Sequence, residues 1–147
     1  MTDRTYTVEN IFEEVLKLSG GTLNNPDDLK LIIGSALNQN KLETLESLSF
    51  HAKFSDGILS VIRKKNTAVP QEYFSKAEEE FKNNLFKVRG CLEEILTNES
   101  EFIKSILTEK YLHLSQSGLE NLSRLCSDLS YLKLFFNDIK KGRNDLK

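Results

Sequence analysis

Histidine and cysteine each occur only twice in 147 residues, and that scarcity closes most routes to chemistry in a helical protein. A two-metal carboxylate site needs inward Glu residues and Glu-x-x-His pairs on facing helices. Here Glu46 and His51 are five apart and face different ways, while Glu109 and His113 form a single pair. Both sets read as residues on solvated faces, so no metal and no other cofactor is expected. Cys91 follows Arg89 and Gly90 in mid-helix, and Cys126 sits among leucines near Arg124. Both cysteines are expected to be buried, reduced thiols that react slowly, because no neighbour activates them. Unpaired thiols suit a reducing compartment.

An excess of one charge is also missing, since 20 basic residues nearly balance 22 acidic ones. Nucleic acid selects clustered Lys and Arg, so no nucleic-acid partner is expected. The runs Glu78-Glu79-Glu80 and Glu93-Glu94 sit beside Lys76, Lys82, Lys87 and Arg89, a pattern of ordinary surface pairs four residues apart such as Glu78 with Lys82. No uninterrupted apolar run approaches membrane length, and Met1-Thr2-Asp3-Arg4-Thr5-Tyr6 lacks the basic start and apolar core of a signal peptide. A cytoplasmic protein without membrane attachment is the expectation. There is no Gly-x-Ser-x-Gly elbow, and Gly20-Gly21 lacks the Lys-Ser/Thr ending of a phosphate loop. An enzyme is therefore not expected.

Proline is confined to Pro26 and Pro70, which leaves long stretches free to be helical. They carry a helical rhythm. Phe74, Ala77, Phe81, Leu85, Val88, Leu92 and Ile95 advance by three or four, one stripe of a packed helix. The spacing predicts helices over 8–19, 26–38, about 41–65, 70–97, 99–115 and 118–141, within one domain spanning 1–147. Thr7, Asn25, Asn40, Asn98 and Ser117 are the expected caps, with capping boxes at Asn40/Glu43 and Ser117/Glu120. Gly20-Gly21 and Lys140-Lys141-Gly142 are the expected stops, and Asn66 to Pro70 is the clearest linker. Gly90, inside the fourth helix, reads as a close crossing or mild kink. The expected fold is an all-α bundle of five or six helices, three or four of them long and antiparallel.

Two segments stand out. Between 41 and 65, Leu45, Leu48, Ala52, Leu59 and Ile62 form one apolar face, and Phe50, Phe54, Ile58 and Val61 form another. A helix apolar on two faces is expected at the centre of a bundle. A hairpin over 48–63 competes, since Leu48, Phe50, Ala52 and Phe54 alternate before Ser55-Asp56-Gly57. The helical flanks and the basic end Arg63-Lys64-Lys65 favour the helix. Whether 26–65 holds one kinked helix or two is open at this level.

The other is the end of the last helix. Helical geometry places Leu129, Leu132, Phe136 and Ile139 on one main stripe, whereas Tyr131, Leu134 and Phe135 point away from it, Leu134 almost to the opposite side. Earlier in the helix those directions are held by Arg124, Ser127 and Asp128, so the second apolar face appears only towards the end. Two explanations stand equal: another part of the chain covers these three, such as the first helix through Ile11, Phe12 and Val15, or they form an interaction patch. Tyr131, Leu134 and Phe135 are the candidate contact residues. The expected function is a non-catalytic bundle acting through protein contacts, with a partner or a second copy. The alternative is a bundle holding a metal, haem or small apolar ligand in its interior.

Overall fold

A computed structural model describes residues 6–63 and 71–145, apart from the side chains of Arg63, Gln71, Phe74 and residues 141–145. Six helices follow one another: α1 (Val8–Ser19), α2 (Pro26–Asn38), α3 (Leu42–Arg63), α4 (Gln71–Leu96), α5 (Glu101–Tyr111) and α6 (Gln116–Asp145). The segment 48–63 is helical, not a hairpin. Linker 66–70, the helix ends expected at 65 and 70, and the contacts of Phe74 lie outside what is described.

The three long helices make the frame. α3 packs along both α4 and α6, burying Leu45, Leu48 and Ala52 against Leu85, Val88, Leu92, Leu125, Leu129 and Leu132. Burial of a Leu-sized side chain stabilises by about 1.5–3 kcal/mol, which makes this seam the main source of stability. Polar groups inside it are paired: Asn84 of α4 donates to the His51 carbonyl and to Ser55 Oγ of α3. Such pairing fixes the register of the two helices, because an orphaned amide there would cost about 1–3 kcal/mol.

Local signals explain most boundaries. Thr7 Oγ1 accepts the Asn10 N–H at 3.1 Å, and Gly20 ends α1 in the left-handed conformation at φ 61°. At Asn40 the chain also turns left-handed, φ 55°, and the Lys41 N–H donates to the Ala36 carbonyl at 2.8 Å. Asn40 thus closes α2, where a cap opening α3 was expected; asparagine tolerates positive φ better than other side chains. The described part of the segment, 26–63, is accordingly broken into two helices, not one kinked helix. Ser100, not Asn98, caps α5, and Ser115, not Ser117, accepts the Gly118 N–H at the start of α6. Gly118 allows this tight corner, since a Cβ there would lie 2.3 Å from the His113 carbonyl oxygen.

The close crossing at Gly90 and the stop at Gly142 are not found. A Cβ on Gly90 would meet nothing within 4 Å, so no helix crosses closely there. Gly142 does not stop α6, which runs on to Asp145. Glycine permits a left-handed stop without imposing one.

The shorter helices close the ends. α1 lies on α6 and α2, and α5 lies on α6. Asp128, in the middle of α6 and fully buried, accepts the backbone N–H groups of Asn24 and Asn25, each at 2.8 Å. It anchors the turn that leads into α2, whose N-cap Asn25 makes no side-chain cap bond of its own. Gln39 donates to the Ile95 carbonyl at 2.6 Å and Lys41 to the Glu94 carbonyl, so the end of α2 satisfies the orphan carbonyls of α4.

Candidate functional site

α3 decides where the protein presents apolar surface. Helical geometry sets Phe50, Phe54, Gly57, Ile58 and Val61 on one side of it and Leu45, Leu48 and Ala52 on the other. The helix is therefore apolar on opposite sides. The second group faces the seam with α4 and α6; the first is bare. Phe50 is 54 % exposed, Phe54 53 % and Val61 60 %. An aromatic side chain offers roughly 150–250 Å², so each ring leaves about 100 Å² in water and forgoes about 2–3 kcal/mol of burial. The expectation that both faces of α3 are covered does not hold among the described residues.

These side chains line a groove of about 540 Å³ together with Lys53 of the same helix. Its other wall is α6, through Lys133 and Asn137. The Lys133 ammonium lies 5.4 Å from the centre of the Phe50 ring, a cation–π arrangement that holds both at the rim. Among the described residues, neither Lys53 nor Lys133 makes an ion pair, and no carboxylate lines the groove. Other exposed apolar side chains are dispersed. Phe86 shares its strip of α4 with Glu79, Asn83 and Glu93, and Phe102 with Ile106 makes a smaller pair on α5.

The end of α6 is arranged differently. Phe135 is only 7 % exposed, and Tyr6, just before α1, meets it edge-on at 6.0 Å. Tyr131 is half-buried and its hydroxyl is 3.3 Å from Thr22 Oγ1. Leu134 is also half-buried. Tyr6 and Thr22, which flank the first helix, meet Phe135 and Tyr131, so these two rings do not form an open aromatic patch. α1 and its flanks thus account for the apolar direction of Phe135 and Tyr131.

Compared with known proteins, the chain matches no family model, no curated protein and no solved structure. Its own geometry is what bears on function.

The interior offers little for chemistry. Among the described residues, no three His, Cys, Asp or Glu side chains converge as a metal site would require. Glu46 is ion-paired with Lys140, and His113 is exposed. A small cavity of about 80 Å³ lies between Tyr6, Phe135, Phe136 and Ile139, well below the roughly 300–1,000 Å³ of ligand pockets. The Tyr6 hydroxyl is buried and has no hydrogen-bond partner among the described residues. Cys126 is 1 % exposed and burial pushes its thiol far up. Cys91 is half-buried, and its thiol is raised by burial and by Glu94. Glu78 and Lys82 are not joined as an ion pair; the pair formed on α4 is Arg89 with Glu93 at 2.9 Å.

The remaining buried ionisable cluster is structural. Tyr111 donates to Asp28 Oδ2 at 2.5 Å and Lys110 donates to the same oxygen at 2.8 Å, tying α5 to the start of α2. Burial, then the Asp28 carboxylate, raises the Tyr111 hydroxyl well above the usual phenol range. These hydrogen bonds are all directed at other parts of the chain, and none of the three residues lines the groove.

Proposed function

We propose that the protein is a non-catalytic helical bundle that acts through protein contacts, made at the groove of α3 and α6. The observation that carries this reading is the bare face of α3, where Phe50, Phe54 and Val61 are each more than half exposed side by side. A contiguous apolar surface rimmed by lysines is the composition of an interface core with a polar rim. The groove is open, so a small molecule would be buried on one side only, whereas ligand pockets enclose about 70–90 % of their guest. That favours a macromolecular occupant over the interior ligand.

The test compares the wild type with a Phe54→Asp/Val61→Asp variant, each immobilised and exposed to the proteins it meets in its own cells, alongside light scattering for self-association. Each side chain is about half exposed, so the variant loses about 2–4 kcal/mol of burial but should remain folded, which circular dichroism checks. The wild type should retain a protein, or a second copy of itself, that the variant loses. An identical retained set, or none with either protein and no self-association, overturns the reading.

A further inference from the structure

We infer that the groove is built for an acidic amphipathic helix of a partner protein. This rests on the docking reading above and adds the shape and charge of the occupant. From Phe50 to Val61 the apolar side chains run along about 16 Å of α3, three turns, with α6 as a wall on one side. Such a trough suits a rod that inserts anchors at i, i+3 or i+4, and i+7. Gly57 lies in the middle of the floor, and a Cβ built on it meets nothing within 4 Å, which leaves depth for an incoming side chain.

Charge selects among occupants. Among the described residues, Lys53 and Lys133 are the only charged ones lining the groove. With no ion pair to either among the described residues and no carboxylate in the described lining, they can meet a partner's Glu or Asp. A second copy joined at this face would bring four lysines to one joint with no lining carboxylate from either side, an arrangement that repels. A membrane surface needs apolar side chains that protrude, whereas Phe50, Phe54 and Ile58 line a concavity.

The test uses the full chain and two synthetic helical peptides of about five turns. Both carry Leu at the i, i+4, i+7 and i+11 positions; one has Glu and the other Lys on the remaining faces. Titration by fluorescence anisotropy should show the acidic peptide binding at least tenfold more tightly than the basic one. Lys53→Glu/Lys133→Glu should reverse the preference. Gly57→Leu should fill the groove and weaken the acidic peptide at least tenfold without lowering the melting temperature, since leucine favours helix and meets open space. Vesicles of phosphatidylcholine and phosphatidylserine should not bind. Equal binding of the peptides, or preference for the basic one, refutes the acidic occupant and leaves the docking reading intact. A dimer that Gly57→Leu dissociates does the same. If neither peptide binds and no dimer forms, or if Gly57→Leu leaves binding unchanged, both readings fall; vesicle binding lost on Phe54→Asp also removes both.

Discussion

Replacing Asp128 with alanine should be among the most damaging polar substitutions in the chain. The carboxylate is 0 % exposed and holds three donors: the Asn24 N–H at 2.8 Å and its side-chain amide at 3.2 Å on Oδ1, and the Asn25 N–H at 2.8 Å on Oδ2. Hydrogen bonds to a charged group contribute about 1.5–3 kcal/mol each, so the two shorter backbone bonds alone would contribute up to about 6 kcal/mol. Two effects reduce it. Asn24 is exposed, so water replaces part of what is lost. Burial also holds the Asp128 carboxyl above its usual range despite the three donors, which means that its ionised form is kept at a cost. The expected loss for Asp128→Ala is then about 2–4 kcal/mol, a large share of the roughly 5–15 kcal/mol of a typical domain. Asp128→Asn keeps one acceptor and should lose about half as much. Urea unfolding with an unchanged slope measures both. Because the folded value is raised, the Asp128 contribution is greatest in acid and declines as pH rises from the ordinary carboxylate range through the folded value; alanine should abolish that slope. A loss below about 0.5 kcal/mol for alanine, or asparagine worse than alanine, would refute the anchoring argument.

Gly90→Ala should stabilise the protein by up to about 1 kcal/mol, seen as a higher melting temperature, because an added Cβ meets nothing within 4 Å in mid-helix. The His51 imidazole is held below its usual 6.5 by burial and then by the nearby Lys87 ammonium, so the unfolded chain binds the proton first. Stability should therefore fall as pH drops below about 6.5, flattening again below the folded value, and His51→Gln should remove that component from a urea-midpoint profile. A thiol reagent applied to the native protein should label Cys91 slowly and Cys126 only on unfolding; rapid modification of Cys126 would contradict its burial.

Periodicity revealed the helices because each needs an apolar stripe, and those stripes are where the core lies: Leu85, Val88, Leu92 and Ile95 of α4 are all buried. It also revealed both faces of α3, but not which would be bare, since a stripe says that a surface is apolar and not what covers it. The same ambiguity ran the other way on α6, where Tyr6 and α1, more than a hundred residues upstream in the chain, cover Phe135. Caps drifted by one or two residues because Ser, Asn and Thr cluster at each boundary and several can accept the same N–H. Asp128 as a remote anchor of the turn into α2 left no local trace. Its partners, Asn24 and Asn25, are distant in sequence and join it only through the packing of α6 on the turn before α2.

The docking of α1 onto α6 has a consequence for the order in which the chain is assembled. α1 is made first, yet the surfaces that hold it, Phe135 for Tyr6 and Asp128 for the α1–α2 turn, are made near the end of the described chain. Until α6 is complete, its apolar stripe of Ile11 and Val15 has only α2 as a neighbour within the same early segment. An isolated helix of 12 residues is marginal in water, so α1 draws its stability from α2 and, once it is made, from α6. Closing so long a loop is also entropically costly and slow relative to local pairing of α3 with α4. The N-terminal strap is thus the last piece to lock, and the Tyr6–Phe135 contact is a marker for completion of the fold.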